Sequence, residues 1–175
     1  MPPTDIEYSV QPIAQSMSMS CWTAAAAMLL SWKNGIAYTE LQIAQQAGPG
    51  FENDFTSNRG LTGPEVGSFA TALALVAEPP QNWTVDGYAA LLSSHGPLWV
   101  GSVITDANSI YKHVRVLTGI IGDGTFDGTI ALILDPDGGR SYQESLSAFA
   151  TELENIAKID LSAGSDLNPQ VIHLP

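Results

Sequence analysis

At Gly96 the character of the chain changes, and that change constrains the fold more than any single motif. Before it, apolar residues recur at helical spacing between polar breaks. Ser20 is placed to cap a helix from about Cys21 to Lys33, and Asn34-Gly35 stops it. The run "TELQ" has capping-box form, Thr39 with Gln42, and its helix ends at "GPG", residues 48–50. A polar loop is expected over "FENDFTSNRG". Thr62 or Gly63 then caps "TGPEVGSFATALALV", with Pro64 in the first turn, and after "PPQNW" a further helix is expected from Asp86 to about Ser94. After Gly96 the runs "PLWVGSVI", "YKHVRVLTGIIG" and "GTIALILDP" are rich in β-branched residues and separated by turn signals, so they read as strands. "SYQESLSAFATELEN" returns to helical period behind a Ser141/Glu144 capping box, and the tail beyond Lys158 has room for one or two short strands. Helices first and strands second imply an α+β fold. The expected organisation is one domain over 1–175, with a helical lobe at about 11–95 and a β-rich lobe at about 96–175.

Composition narrows the classes of function. A chain of 175 residues with 45% hydrophobic content buries a core without covalent staples. Its one cysteine excludes an internal disulfide and a Cys-rich zinc site, so the fold does not need an oxidising compartment. No apolar run is long enough to span a bilayer. The opening "MPPTDIEYSV" has neither a basic nor an apolar segment of the kind a Sec signal requires. With net charge −12 and only six Lys and Arg, nucleic-acid binding through phosphates is not expected, because counterion release needs clustered cations. The acidity suits solubility, and also a cleft or surface that meets cationic partners.

The single thiol, Cys21, stands at the first turn of the alanine-rich helix "CWTAAAAMLLSW". There it faces unpaired backbone N–H groups and the positive end of the helix dipole, and both favour thiolate over thiol. The alanines let the helix lie close against its neighbours. Gln15, six residues upstream across "SMSMS", can reach back to donate a hydrogen bond beside the sulfur, with the Cys21 N–H as second donor. A lone Cys beside Trp and Ala also suits a small buried hydrophobe, so the nucleophile reading needs partners.

Of the three histidines, His95 ends a helix before Gly96 and suits a C-terminal capping role, and His173, close to the end of the sequence, reads as incidental. His113 lies near the start of a strand, which is rigid enough to hold a base. The segments 111–121 and 128–135 are joined by a turn-rich stretch and read as an antiparallel hairpin. Pairing Ile121 with Gly128 brings His113 opposite the region of Asp135 to Asp137. Asp135, fixed by Pro136 at a strand end, is the candidate orienting acid with Asp137 in "DGG" as its competitor, although Asp135 in "DPDGG" also suits a plain turn residue. "GDGTFDG" lacks the ligand spacing of a calcium loop and reads as a turn. No metal site and no cofactor are expected.

Gln15 six positions before "CW" at a helix start, a strand His in "HVRVLTGI" and then "DP" together resemble the papain-like cysteine peptidase superfamily. The likeness is nearest to its bacterial branch of effector or toxin proteases and double-glycine leader peptidases, which also carry phrases like "HGPLWVG" and "ILDPDGG". The resemblance covers roughly residues 11–140. It implies a two-lobe fold with the site between the lobes, Cys21 as nucleophile, His113 as general base and acid, Asp135 as orienting group and Gln15 as oxyanion donor. Papain carries Asn as third member, whereas Asp stands here, as in the bacterial branch. With no propeptide or structural disulfide in view, control would fall to a partner protein, a host factor or the compartment. Loops such as 50–60 and 104–110 would line the cleft.

The implied activity is cleavage of peptide bonds in protein or peptide substrates. The missing Sec signal and the resemblance suggest a secreted effector or toxin exported by a dedicated system, active in a reducing cytoplasm and blocked by an immunity or inhibitor protein. The alternatives are an amidase, deamidase or acyltransferase on the same scaffold, and a peptide-binding module without activity.

Overall fold

A computed structural model describes residues 4–175. Their elements run β1 (Thr4–Glu7), α1 (Cys21–Asn34), α2 (Glu40–Ala47), α3 (Pro49–Thr56), α4 (Glu65–Ala72), β2 (Val76–Ala77), α5 (Val85–His95), β3 (Leu98–Thr105), β4 (Ile110–Gly122), β5 (Thr129–Asp135), β6 (Arg140–Ser145), α6 (Leu146–Ser162) and β7 (Val171–His173). This is an α+β arrangement with an antiparallel sheet in the order β2-β7-β3-β4-β5-β6, and β1 added to β4.

The alanine run explains the position of α1. Trp22 through Leu30 are all buried, so the helix is enclosed on every side, which small residues permit. Gly35, at φ 66°, ends it in the left-handed conformation and donates to the Ser31 carbonyl. One core joins α1 to α2–α4 and to Trp99, Val114, Val116, Leu134 and Ile172 of the sheet. The other fills the space between the sheet and α5 and α6, through Leu92, Val100, Leu117, Ile133 and Phe149. The α1 helix is thus the wall shared by helical layer and sheet. The Trp99 indole N–H donates to the Trp22 carbonyl at 3.1 Å across that seam.

Two expected segments differ, and the short strands β1 and β2, the second starting within the expected helix "TGPEVGSFATALALV", have no counterpart in the sequence-based expectations. "FENDFT" is not loop but most of α3. Gly48, at φ 116°, turns the chain, Pro49 supplies the fixed φ of a first helical residue, and Phe51 and Phe55 fall four apart on the core side. Phe51 meets Phe69 edge-on at 5.4 Å, which secures the short helix. Residues 140–145 are not the start of the last helix but strand β6, paired with β5 from Asp135↔Arg140 to Ile130↔Ser145. No Ser141/Glu144 capping box forms. Ser145 is the cap, accepting from the Ala148 N–H, and α6 runs on past Lys158 to Ser162, leaving β7 as the single strand of the tail. The Thr39/Gln42 capping box is present with both arms.

The reason for β6 is tertiary. Arg115 of β4 is buried, at 1% exposure, and donates to Glu144 (2.9 Å) and the Tyr142 hydroxyl (2.9 Å) of β6, to Glu152 (2.5 Å) of α6 and to Ser102 (3.0 Å) of β3. Its guanidinium also lies 5.2 Å over the Phe149 ring. One cation therefore gathers β3, β6 and α6, and of these only β6 is left unassigned by local propensity. Removing one member of a buried ion network strands the others, so Arg115→Ala is expected to cost about 3–5 kcal/mol, read as a lower midpoint of urea unfolding. A loss within about 0.5 kcal/mol, the range of a surface substitution, would show that the network is not structural.

The strand β4 is the spine of the sheet. It pairs with β3 from Ile110 to Leu117, then with β1 beyond, while β5 joins its other edge only from Val116. At the same level a bulge between Leu117 and Gly119 shifts the β4–β5 register. Gly119 is required there, because a Cβ would stand 2.0 Å from the Ile6 carbonyl oxygen of β1. His113 consequently lies on the stretch of β4 that β5 has not yet reached.

Candidate active site

Cys21 is the first residue of α1 and is half-buried. Ser20 occupies the cap position, but its hydroxyl does not cap the helix. It donates to the Met17 carbonyl at 3.1 Å and accepts the Met17 N–H at 3.2 Å. Its own carbonyl takes the Thr23 and Ala24 N–H groups. The expected side-chain cap is therefore absent, because the hydroxyl is used to fold the preceding loop. The start of the helix is left without a side-chain oxygen competing for its amides.

His113 approaches that helix start from β4. It is buried, at 7% exposure, and its Nε2 stands 2.6 Å from Asp135 Oδ1. Cys21 also acts on the ring in favour of its charged form, and with Nε2 engaged by Asp135 it is Nδ1 that remains for the sulfur. Burial opposes the charged imidazole, yet the hydrogen bond to Asp135 and the interactions with Cys21 and the Asp135 charge outweigh it, so its pKa is pushed up to about 9. Tyr111 stands edge-on to the ring, 6.0 Å between centroids.

Asp135 ends β5, directly after Leu134, which pairs with Val116. Continuing that register sets Asp135 level with Arg115, two residues along the strand from His113, a diagonal rather than a direct pair. Burial raises the pKa of its carboxyl, but His113, the Asp137 N–H and Arg140 together hold it below the ordinary carboxylate range. The Asp137 N–H donates to Oδ1 at 2.8 Å, and Arg140 Nη2 lies 3.3 Å from Oδ2. Asp137 itself is exposed and paired with Arg140 at 3.0 Å, so its side chain supports the site and does not meet the imidazole. Arg140 was missed by sequence reasoning, although the tight turn "DPDGG" carried the signal. Closing that turn as a hairpin sets Arg140 opposite Asp135.

Gln15 lies on the loop before α1 and lines the same cleft as Cys21 and His113. Its amide nitrogen donates to the Met17 carbonyl at 2.8 Å and the Ser18 carbonyl at 3.0 Å, while Oε1 is buried without a partner. Two carbonyl acceptors require the nitrogen end of the amide to face them. The donor group is thus beside the helix start but folded onto its own loop.

The cleft has a volume of about 730 Å³. Gly60–Gly63 and Val66 form its helical side; Lys112–Val114, Ile156 and residues 168–170 form the other. Of the expected loops, 50–60 contributes only Arg59 and Gly60, because residues 49–56 are wound into α3, and 104–110 contributes none, because the end of α6 closes the far wall. Lys112 meets Asp160 at 2.6 Å there.

His95 and His173 lie outside this cleft. His95 ends α5 as expected, and its ring stacks on His173, with 3.9 Å between centroids. His173 is not incidental: it is buried in β7, with Nδ1 on the Leu174 carbonyl at 2.6 Å and Nε2 on Glu78 at 2.8 Å. Among the described residues no cluster of three or more His, Cys, Asp or Glu could hold a metal ion, and no helix is long and apolar enough to cross a membrane.

The amino-acid sequence matches the family described as papain-like cysteine protease AvrRpt2 over residues 2–154. The chain belongs to that family. It is therefore a cysteine peptidase of the bacterial effector type within the papain-like superfamily, and its α+β architecture is the papain-like one. Protein substrates follow from membership. No match was found among curated proteins. The AvrRpt2-like match ends at Glu154, within α6, so it takes in the sheet strands β1 to β6 and the residues of the cleft before that point.

Proposed function

We propose that Cys21, His113 and Asp135 are the catalytic triad of this AvrRpt2-like protease and that Gln15 and the Cys21 N–H form its oxyanion hole. The observation that carries the reading is that a cysteine peptidase needs a nucleophilic thiol, the chain has one cysteine, and a histidine lining the same cleft is oriented by a buried carboxylate at 2.6 Å.

The chemistry follows from that arrangement. The Cys21 sulfur, as thiolate, attacks the scissile carbonyl carbon, and the carbonyl π bond opens to an oxyanion. His113, held protonated by Asp135, gives its Nδ1 proton to the leaving amine as the C–N bond breaks, which leaves a thioester on Cys21 and a neutral imidazole. Water then loses a proton to that imidazole and attacks the thioester, which releases the carboxylic acid and restores the thiolate–imidazolium pair. Gln15 takes part by exchanging its longer bond, to the Ser18 carbonyl, for one to the oxyanion. A charge-assisted bond is the stronger of the two. Trp99, Val114 and Ile156 give the cleft an apolar wall for a substrate side chain beside the scissile bond.

Effector family membership also supports export by a dedicated secretion system, action as a toxin in a reducing cytoplasm, and a cognate protein that blocks the cleft. A protein found only inside its producing cells would remove the export reading.

Incubation with a heat-denatured protein mixture, followed by N-terminal labelling and mass spectrometry, is expected to show new N-termini with a shared residue preference. Ammonia release or acyl transfer without new N-termini would instead assign the same four residues to an amidase, deamidase or acyltransferase. Neither outcome, with biological effect intact, would favour a binding module.

A further inference from the structure

The stretch between β1 and α1 that carries Gln15 has no helix or strand of its own. Two backbone bonds hold Gln15 in place. Its own N–H donates to the Pro136 carbonyl at 2.8 Å, one residue beyond Asp135. The next N–H, of Ser16, donates to Glu40 Oε2 at 2.8 Å. Glu40 belongs to the first turn of α2 and is buried, at 8% exposure. Its other oxygen lies 3.3 Å from the Thr23 hydroxyl on α1, two residues after Cys21.

Glu40 is an unusual residue to bury there. Among the described residues no Lys, Arg or His lies within ion-pair distance of it. A buried carboxyl without a cation costs stability, and an apolar side chain of similar size packs between helices more cheaply. Closure of α2 does not need it either, since Thr39 and Gln42 already form the capping box. The α2 dipole favours a negative group at this end, but an exposed one would be served equally. What remains is the job its oxygens visibly do: accepting the Ser16 N–H while touching the helix that begins with Cys21.

We propose that Glu40 is the positioning residue of the oxyanion hole. It fixes the peptide that follows Gln15 against α1, as the Pro136 carbonyl fixes the peptide that precedes it against the end of β5. The two anchors reference Gln15 to the elements that carry Cys21 and Asp135. They hold its backbone still when the amide leaves the Ser18 carbonyl for the oxyanion. The proposal rests on Gln15 being the oxyanion donor, and the experiment separates the two ideas.

The measurement is steady-state hydrolysis of N-benzyloxycarbonylglycine p-nitrophenyl ester, alongside Cys21 alkylation by iodoacetamide, which forms no oxyanion. Glu40→Leu is expected to lower kcat about 10- to 100-fold, the usual penalty for a misplaced catalytic group, with KM and the alkylation rate changed by less than about twofold. Glu40→Gln keeps a side-chain carbonyl for the Ser16 N–H and should restore most of the loss. Gln15→Ala should lower kcat by about 10²–10³-fold, and adding Glu40→Leu to it should do nothing more. Unchanged kcat in Glu40→Leu, a matching fall in alkylation, or a full further loss on top of Gln15→Ala would each overturn the role of Glu40. An unaffected Gln15→Ala protein would overturn the oxyanion reading itself, whatever Glu40 does. A natural protein that alkylates readily but leaves the ester intact would remove both.

Discussion

Cys21→Ala is expected to abolish the appearance of new N-termini in a denatured protein mixture, a loss on the order of 10⁶-fold in kcat by comparison with removal of a hydrolase nucleophile. The chain has no second thiol that could substitute. The variant should otherwise be inert structurally. Alanine is the best helix former, Cys21 is only half-buried, and the truncation removes a single sulfur beside the open cleft, so the thermal midpoint should be close to the natural one. That separation of activity from stability gives the experiment its force. Cleavage persisting in the variant would mean that Cys21 is not the nucleophile, and the roles assigned to His113, Asp135 and Gln15 would fall with it.

The second large effect concerns His113. At about pH 6 the natural protein is expected to be alkylated by iodoacetamide far faster than a free thiol, and His113→Ala is expected to slow that reaction roughly 100-fold, because an unassisted thiol with a pKa near 8.5 is almost wholly protonated there. Far-UV circular dichroism would confirm that the variant is folded. The same pairing sets the alkaline limit. His113 is raised from its ordinary value of 6.5 to about 9, so it stays protonated through neutral pH and can still supply the leaving amine with a proton. Turnover should fall as pH rises through about 9. Stability should follow the same direction: the contribution of His113 is complete below about pH 6.5 and is lost as the pH climbs through about 9. Asp135 behaves oppositely, its contribution being lost only as the solution is acidified below the ordinary carboxylate range. Equal alkylation rates in the two proteins, or a turnover profile that is flat through pH 9, would dissolve the Cys–His pair as the working unit.

The order of helices and then strands was legible in the sequence because it depends on local signals: the apolar period of 21–33, the Thr39/Gln42 capping box, and the β-branched runs on either side of "GDGTFDG". The lone thiol at a helix start and the Asp-Pro strand end were legible for the same reason, since a helix terminus and a fixed φ are properties of a few neighbouring residues. The missed helix α3 and the missed strand β6 have no such self-sufficient signal. Residues 49–56 carry only Phe51 and Phe55 as apolar anchors, and they become a helix when Trp22 and Phe69 give those rings somewhere to pack. Residues 140–145 satisfy a helical capping pattern as well as a strand pattern, and the choice falls to β5 and Arg115, which lie outside the segment.

The site divides along the same line. Sequence by itself determined which chemical groups are available: one thiol, a strand histidine, an acid held before proline and an amide six residues before the thiol. Tertiary structure alone decided that the bulge in β4 and the end of β5 bring Asp135 diagonally onto His113, that the Asp135 carboxylate and Cys21 raise the imidazole against the opposing effect of burial, and that Arg140 and Glu40 brace the arrangement from outside. The physical reason is that helix starts and turns are set by contacts within a few residues. Register across a sheet, desolvation and the pairing of buried charges are set by groups far apart in sequence, and these exist only once the chain has closed around them.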